Sequence, residues 1–359
     1  MRTPAPPSLV DPDALSSVAA FHRLFQCPIL ARPVLPPADR CRLRVSLLEE
    51  EVGELADAID ADDLIEVADA LADIQYVLSG AVLEFGMGGI FKSLFDEVQR
   101  SNMSKACTTL EEAERTRAHY LETKATESYV DEVDGQWLVY REGDRKALKS
   151  VEYSPAALAS IIEGAIPSSA SPVDPVCLKS VAAFHRLFQC PVVADPAIPA
   201  PDRCRLRVSL LKEEVRELRE AIDADDLIEV ADALADIQYV LSGAVLEFGM
   251  GSVFKALFDE VQRSNMSKAC STLEEAEQTR AHYLETKGTE SLIENVDGQW
   301  LVYREEDRKV LKSIRYSPAN LSGILRNALP PSSPPSSKSA SSTSASPTSV
   351  QLNPAFPEA

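Results

Sequence analysis

Apolar residues recur along this chain at spacings of three and four, the period of helices with one buried face. The spacing predicts a short helix over 18–25 with Ser17 as its cap. A longer helix follows over about 39–59, with Leu43, Leu47, Leu48, Val52, Leu55 and Ile59 on one side. Asp62 and Asp63 are N-cap and first-turn residues for a third helix that runs to Glu84 or Phe85, where Gly86 stops it. That helix is apolar nearly all round (Leu64, Ile65, Val67, Leu71, Ile74, Tyr76, Val77, Leu78, Val82, Leu83), which marks it as central in a bundle. Two more helices are predicted over 90–102 and 110–123. The period then drops to two in QWLVYRE (136–142) and RKALKSVEY (145–153), which reads as a small β-hairpin. Ser154-Pro155 places a proline where a last short helix would open. The fold class is all-α, a helical bundle with a small appended β-hairpin.

The pattern is written twice. FHRLFQCP at Phe21 returns at Phe184, a shift of 163 residues, and the same shift carries CRLRVSLL at Cys41 onto Cys204. DDLIEVADALADIQYVLSGAVLEFGMG, RSNMSKAC, DGQWLVYRE and YSPA all recur without a gap. Two copies at so long a period are a duplicated domain rather than a solenoid. The expected organisation is a first domain over 13–165, a linker over 166–175 rich in proline and serine, a second domain over 176–329, and a disordered Ser/Pro-rich tail over 330–359. A length of 359 residues agrees with two units, each with a core of its own.

Charge narrows the chemistry. With 36 Lys+Arg against 56 Asp+Glu the formal balance is −20, which argues against a nucleic acid or an anionic membrane as the main partner. No segment approaches the roughly 18 to 20 uninterrupted apolar residues of a membrane helix, and no secretory h-region opens the chain, so the expected location is cytoplasmic. Seven cysteines without CxxC or zinc-finger spacing read as reduced thiols.

The acids are not evenly spread. On the central helix Glu66, Asp69 and Asp73 fall within about 60° of one another, and the preceding helix carries Glu50, Glu51, Glu54 and Asp57 in a similar cluster. The short connection at Asp60 and Ala61 makes the two helices antiparallel neighbours, so the acidic stripes can face each other. A stripe of acids is ordinarily a solvated face, but here it lies on the most apolar helix of the chain. Packed carboxylates must take up protons or bind a cation, and an all-oxygen donor set selects Mg²⁺, Mn²⁺ or Ca²⁺ over zinc. The second copy repeats the set as Glu213, Glu214, Glu217, Glu220, Glu229, Asp232 and Asp236. Differences at Glu49, which becomes Lys212, and Gly53, which becomes Arg216, lie off this line.

EEEVGEL (49–55), EVADALAD (66–73) and RSNMSK (100–105) resemble the all-α nucleoside triphosphate pyrophosphohydrolases, the superfamily of MazG, dimeric dUTPases and phosphoribosyl-ATP pyrophosphohydrolase. The resemblance covers most of each copy. It implies a helical bundle that binds two or three Mg²⁺ ions and cleaves an NTP between its α and β phosphates, giving the monophosphate and pyrophosphate. House-cleaning of dUTP or non-canonical nucleotides is one implied role and phosphoribosyl-ATP hydrolysis another; a non-catalytic nucleotide or metal sensor is the competing class. The implied metal ligands are Glu51, Glu54, Glu66, Asp69 and Asp73, and in the second copy Glu214, Glu217, Glu229, Asp232 and Asp236. Mn²⁺ is an alternative ion. A carboxylate not committed to metal, Glu50 or Glu51 (Glu213 or Glu214), would accept the attacking water's proton. Arg100, Asn102 and Lys105, with Arg263, Asn265 and Lys268, are candidate phosphate contacts, although helix-end charge pairing is an equal reading for them from pattern alone. Lys146 and Lys149 are weaker candidates. His22 and His185 are expected to be packing residues, and Trp137 and Trp300 to fasten the hairpin. Members of the superfamily commonly work as dimers, so the tandem looks like a dimer fused in one chain, open to further self-association. Nothing in the spacing decides whether a pocket is completed across the copies.

Overall fold

The computed structural model describes residues 9–165 and 172–329. The expected tail and most of the expected linker therefore lie outside the described residues. Each repeat contributes five helices, a two-stranded hairpin and a sixth short helix. In the first these are α1 (Ala14–Leu24), α2 (Ala38–Asp60), α3 (Leu64–Glu84), α4 (Phe91–Met103), α5 (Leu110–Lys124), β1 (Ser128–Val133), β2 (Gln136–Arg141) and α6 (Leu158–Glu163). The second gives α7 (Cys177–Leu187), α8 (Pro201–Asp223), α9 (Leu227–Glu247), α10 (Phe254–Met266), α11 (Leu273–Lys287), β3 (Ser291–Val296), β4 (Gln299–Arg304) and α12 (Leu321–Ala328).

The all-α class and the five main helices stand as the periodicity predicts. Asp63 caps α3, its carboxylate accepting from the amides of Ile65 at 2.9 Å and Glu66 at 3.2 Å. Three details differ. α1 begins at Ala14 rather than beyond Ser17, because its cap comes from elsewhere: the Leu15 amide donates to Asp174 Oδ1 at 2.7 Å, and reciprocally the Leu178 amide of α7 donates to Asp11 Oδ1 at 2.7 Å. The hairpin pairs Ser128–Val133 with Gln136–Arg141, whereas the RKALK segment makes a single bridge, Ala147 to Tyr140. The Asp134-Gly135 turn, with both residues at positive φ, supports that tight connection. Pro155 does not open α6, which starts at Leu158, because the carbonyls of Ser154 and Pro155 are taken by Arg100.

Two separate cores are not what forms. One continuous apolar core runs through α1, α2, α3 and α4 and through their partners α7, α8, α9 and α10. The reason is the composition of α3 and α9: helices apolar on every side need cover on every side, and each repeat alone offers too few elements. α3 packs against α9, α2 against α8, and the fourth helix of each repeat lies on the central helix of the other, α10 on α3 and α4 on α9. Where α3 and α9 meet, Gln75 and Gln238 are both buried and exchange amide hydrogen bonds of 2.8 and 2.9 Å. The hairpins follow the exchange: Leu301 and Tyr303 of β4 pack on Leu24 and Phe25 at the end of α1.

Candidate active site

α2 and α3 run as a packed antiparallel pair, and their acidic stripes line the two walls of a cleft. Glu51, Asp69 and Asp73 are half-buried, while Glu50, Glu54 and Glu66 form the exposed rim. Burial pushes the Glu51 carboxyl up to about 8, reinforced by the charges of Asp73, Glu54, Glu50 and Asp69. Burial likewise pushes Asp73 up to about 7, with Asp69 adding to it, and raises Asp69, with Glu66 and Glu54 adding. Each carboxylate is felt by acids on the opposite helix, so the two stripes form one cluster.

The second cleft, between α8 and α9, repeats this more deeply. Glu214 is only 7% exposed, and its Oε2 has no hydrogen-bond partner among the described residues. Burial raises Glu214, with Asp236, Glu217, Glu213 and Asp232 adding to it; Asp236 and Asp232 are raised by burial and by their acidic neighbours. Burial also raises Glu217. Glu213, Glu217, Asp232 and Asp236 are half-buried and Glu229 is exposed.

The basic ends of the RSNMSK motifs do not return to their own acids. Lys268, just beyond the end of α10, faces Asp73 of the first repeat; its ammonium is lowered chiefly by burial, then by Lys312, with Asp73 opposing. Its Nζ donates to Asn265 Oδ1 at 2.6 Å and lies 5.9 Å from the Phe21 ring. Asn265 in turn reaches the Tyr76 hydroxyl, which donates to Gln262 Oε1 at 2.8 Å. In the mirror arrangement Lys105 is 4% exposed and faces Asp236 and Glu214 of the second repeat. Burial lowers its ammonium to about 8, Lys149 and Lys146 pushing the same way. Asn102 lies by the Tyr239 hydroxyl. Each cleft therefore joins acids of one repeat to a lysine and an asparagine of the other, with Lys146 and Lys149, or Lys309 and Lys312, close behind.

Arg100 and Arg263 have other work. Arg100 pairs with Glu97, at 2.8 Å through both Nε and Nη2, and binds the carbonyls of Ser154 at 3.2 Å and Pro155 at 2.8 Å. Arg263 repeats this with Glu260, Ser317 and Pro318. Their guanidinium groups hold the segment that leads into α6 or α12, the helix-end pairing of the two readings. His22 is a packing residue as expected, buried with Nδ1 2.9 Å from the Pro28 carbonyl and Nε2 3.2 Å from Arg44. Trp137 fastens the hairpin, its backbone pairing with Cys107.

The donor chemistry of the clefts suits a hard divalent cation: oxygen ligands with raised proton affinity, and one buried carboxylate oxygen, Glu214 Oε2, without a partner. The spacing is less complete. Among the described residues no group of three or more acidic, histidine or cysteine side chains is already drawn together as a metal site.

Sequence reasoning missed the exchange of α4 and α10, and with it the pairing of Lys268 with Asp73. It also missed Tyr76 and Gln262. The nearest signal was Tyr76 itself, a polar ring one turn beyond Asp73 on the acid line of an apolar helix.

The family model for phosphoribosyl-ATP pyrophosphohydrolase matches residues 18–102 and again 181–265. The uncharacterized protein L479 of Acanthamoeba polyphaga mimivirus is 24% identical over 296 residues, spanning 79% of this chain and 82% of that protein. No solved structure matches the chain. Both matched stretches run from the first helix of a repeat to the Asn of its RSNMSK motif and so contain every acid of the clefts; the chain carries two phosphoribosyl-ATP pyrophosphohydrolase domains in tandem, of the all-α NTP pyrophosphohydrolase superfamily.

Proposed function

We propose that the chain is a divalent-cation-dependent pyrophosphohydrolase that cleaves a nucleoside triphosphate between its α and β phosphates, releasing the monophosphate and pyrophosphate. The observation that carries this reading is the pairing, in each cleft, of a carboxylate cluster of raised proton affinity with a buried lysine of the other repeat. A polyphosphate cannot approach so many acids uncompensated, and the lysine alone does not balance them. Glu51, Glu54, Glu66, Asp69 and Asp73, and their counterparts in the second repeat, are the residues that would hold Mg²⁺ or Mn²⁺. Bound there, the ion would neutralise phosphate oxygens and acidify water.

The protein's own groups divide the remaining work. Lys268 and Lys105 place positive charge where a phosphate would face Asp73 or Asp236. Asn265 and Asn102 offer amide donors beside them. Glu50, on the exposed rim beside Glu51 and outside the ion-holding set, is the carboxylate suited to accept the proton of the attacking water, as is Glu213 in the second cleft. Phe21, in edge contact with Tyr76 at 5.6 Å, gives the first cleft an apolar wall on the Lys268 side.

The family match favours a second reading of the substrate, phosphoribosyl-ATP, whose triphosphate presents the same α–β bond. One assay separates the readings: pyrophosphate release from dNTPs including dUTP, NTPs, modified nucleotides and phosphoribosyl-ATP, with Mg²⁺, Mn²⁺ or EDTA. The proposal expects EDTA-sensitive turnover of at least one of these and its loss in E54A/E217A. Binding without turnover across the whole panel would replace the enzyme by a sensor.

A further inference from the structure

The duplication provides an internal control at the contact between α2 and α8, and the two ends of that contact differ. The helices run antiparallel, and at one end Arg219 of α8 closes an ion pair with Glu49 of α2. At the other end the 163-residue shift puts Ala56 in place of Arg219 and Lys212 in place of Glu49. Ala56 has no side chain to bridge the helices. Among the described residues neither Lys212 nor Arg205, about two turns before it, forms an ion pair.

What lies there instead is a cavity of about 820 Å³, within the range of about 300 to 1,000 Å³ usual for small-molecule sites. Its floor is apolar, with Ile59 of α2, Ile198 ahead of α8, and Val208 of α8. Its rim carries Arg205 and Lys212 on α8 and Asp60 and Asp62 at the end of α2 and in the turn after it. Ala56 lies more than about 120° around α2 from Glu51 and Glu54, so this cavity opens away from the first acid cleft.

We propose that this cavity is a binding site for a nucleoside monophosphate, lying at the end of the α2–α8 contact where Ala56 and Lys212 stand in place of the Arg219–Glu49 pair. Lys212 and Arg205 supply the charge for a phosphate dianion. Asp60 and Asp62 accept from ribose hydroxyls or an exocyclic amine, since an ionised carboxylate can only accept. The aliphatic floor takes the flat face of a base.

The test uses the full chain in EDTA with AMP, adenosine and inorganic phosphate as probes, read by calorimetry. The wild type is expected to bind one AMP per chain below about 1 mM, and adenosine at least tenfold more weakly. A56R/K212E rebuilds the ion pair that the chain already tolerates at its other end; it should lose AMP binding at least tenfold with no fall in melting temperature. K212A, which leaves the cavity open, should weaken AMP by a similar factor while leaving adenosine unchanged. Absence of AMP binding to the wild type, equal binding by A56R/K212E, or equal affinity for adenosine and AMP would each overturn the assignment.

Discussion

Glu84 shows how much one buried residue can carry. It ends α3 fully enclosed and accepts from Arg40 Nε at 3.1 Å, from Arg40 Nη2 and from Arg44 Nη2, while Arg44 Nη2 also meets His22 Nε2 at 3.2 Å. Burial pushes the His22 imidazole down to about 4, with the Arg44 charge adding to it, so the ring is neutral at pH 7. Arg44 donates to Nε2, which leaves Nδ1–H to donate to the Pro28 carbonyl. Gly80 makes the room, for a Cβ there would lie 2.6 Å from Arg44 Nη1. Removing the charge of Glu84 strands two guanidinium groups, one of them buried, so Glu84→Gln should cost about 3 to 5 kcal/mol in denaturant unfolding at pH 7. Burial pulls the Glu84 carboxyl up, but the hydrogen bonds of Arg44 and Arg40 outweigh it and hold the group below its ordinary value. The stabilisation is then present above the unfolded-state value of about 4.3 and is lost as the pH falls through the lower folded value. The gap between wild type and Glu84→Gln should accordingly close in strong acid. Gly86 sets a second residue-scale test. At φ 72° its absent Cβ would stand 1.9 Å from the Arg32 carbonyl oxygen, so Gly86→Ala should lower the melting temperature by several degrees through both left-handed strain and the clash.

At the scale of elements, α2 and α3 trade stability for a charged cleft. Glu51 and Asp73 hold protons in the folded chain up to about 8 and about 7, whereas unfolded they ionise near 4. The folded state binds more protons across that window, so these groups favour folding below their unfolded values and lose that contribution as the pH rises through the folded ones. Metal-free protein should therefore melt lower at pH 9 than at pH 5.5, and 5 mM Mg²⁺ should restore more at pH 9 than at pH 5.5 if the clefts hold the ion. A melting temperature in EDTA that does not fall over that range would contradict the burial of this cluster. These two helices were also the most legible elements of the chain. Their period, the Asp63 cap and the alignment of Glu66, Asp69 and Asp73 are local properties that any sequence window displays. The first hairpin strand was not legible: SYVDEV lacks a clear apolar alternation, and the period-two pattern instead paired QWLVYR forward with RKALK, which makes only the single bridge of Ala147 to Tyr140. The true start of α1 was illegible for a different reason, since its capping Asp174 lies 159 residues away.

The exchange of helices between repeats belongs to the whole molecule, and no single repeat encodes it visibly. RSNMSK could be read as a phosphate motif, but its own acids and those of the other copy are the same residues in sequence, so only packing decides which set Lys105 and Lys268 face. It places Lys268 with Asp73 and Lys105 with Asp236. Because the repeats share one chain, the choice can be tested by which two substitutions disable one cleft and which disable both. Glu54→Ala damages the first cleft, and Lys268→Met damages that same cleft from the other repeat. Combined, they should leave the second cleft intact and pyrophosphate release at about half of wild type. Glu54→Ala with Lys105→Met strikes one cleft each, although both changes fall in the first repeat, and should lower release at least tenfold. The mirrored pair, Glu217→Ala with Lys105→Met against Glu217→Ala with Lys268→Met, should give the same contrast. If each lysine served its own repeat, the two pairings would exchange outcomes: the variant with both changes in the first repeat would keep half its turnover, and the variant split between repeats would lose nearly all of it.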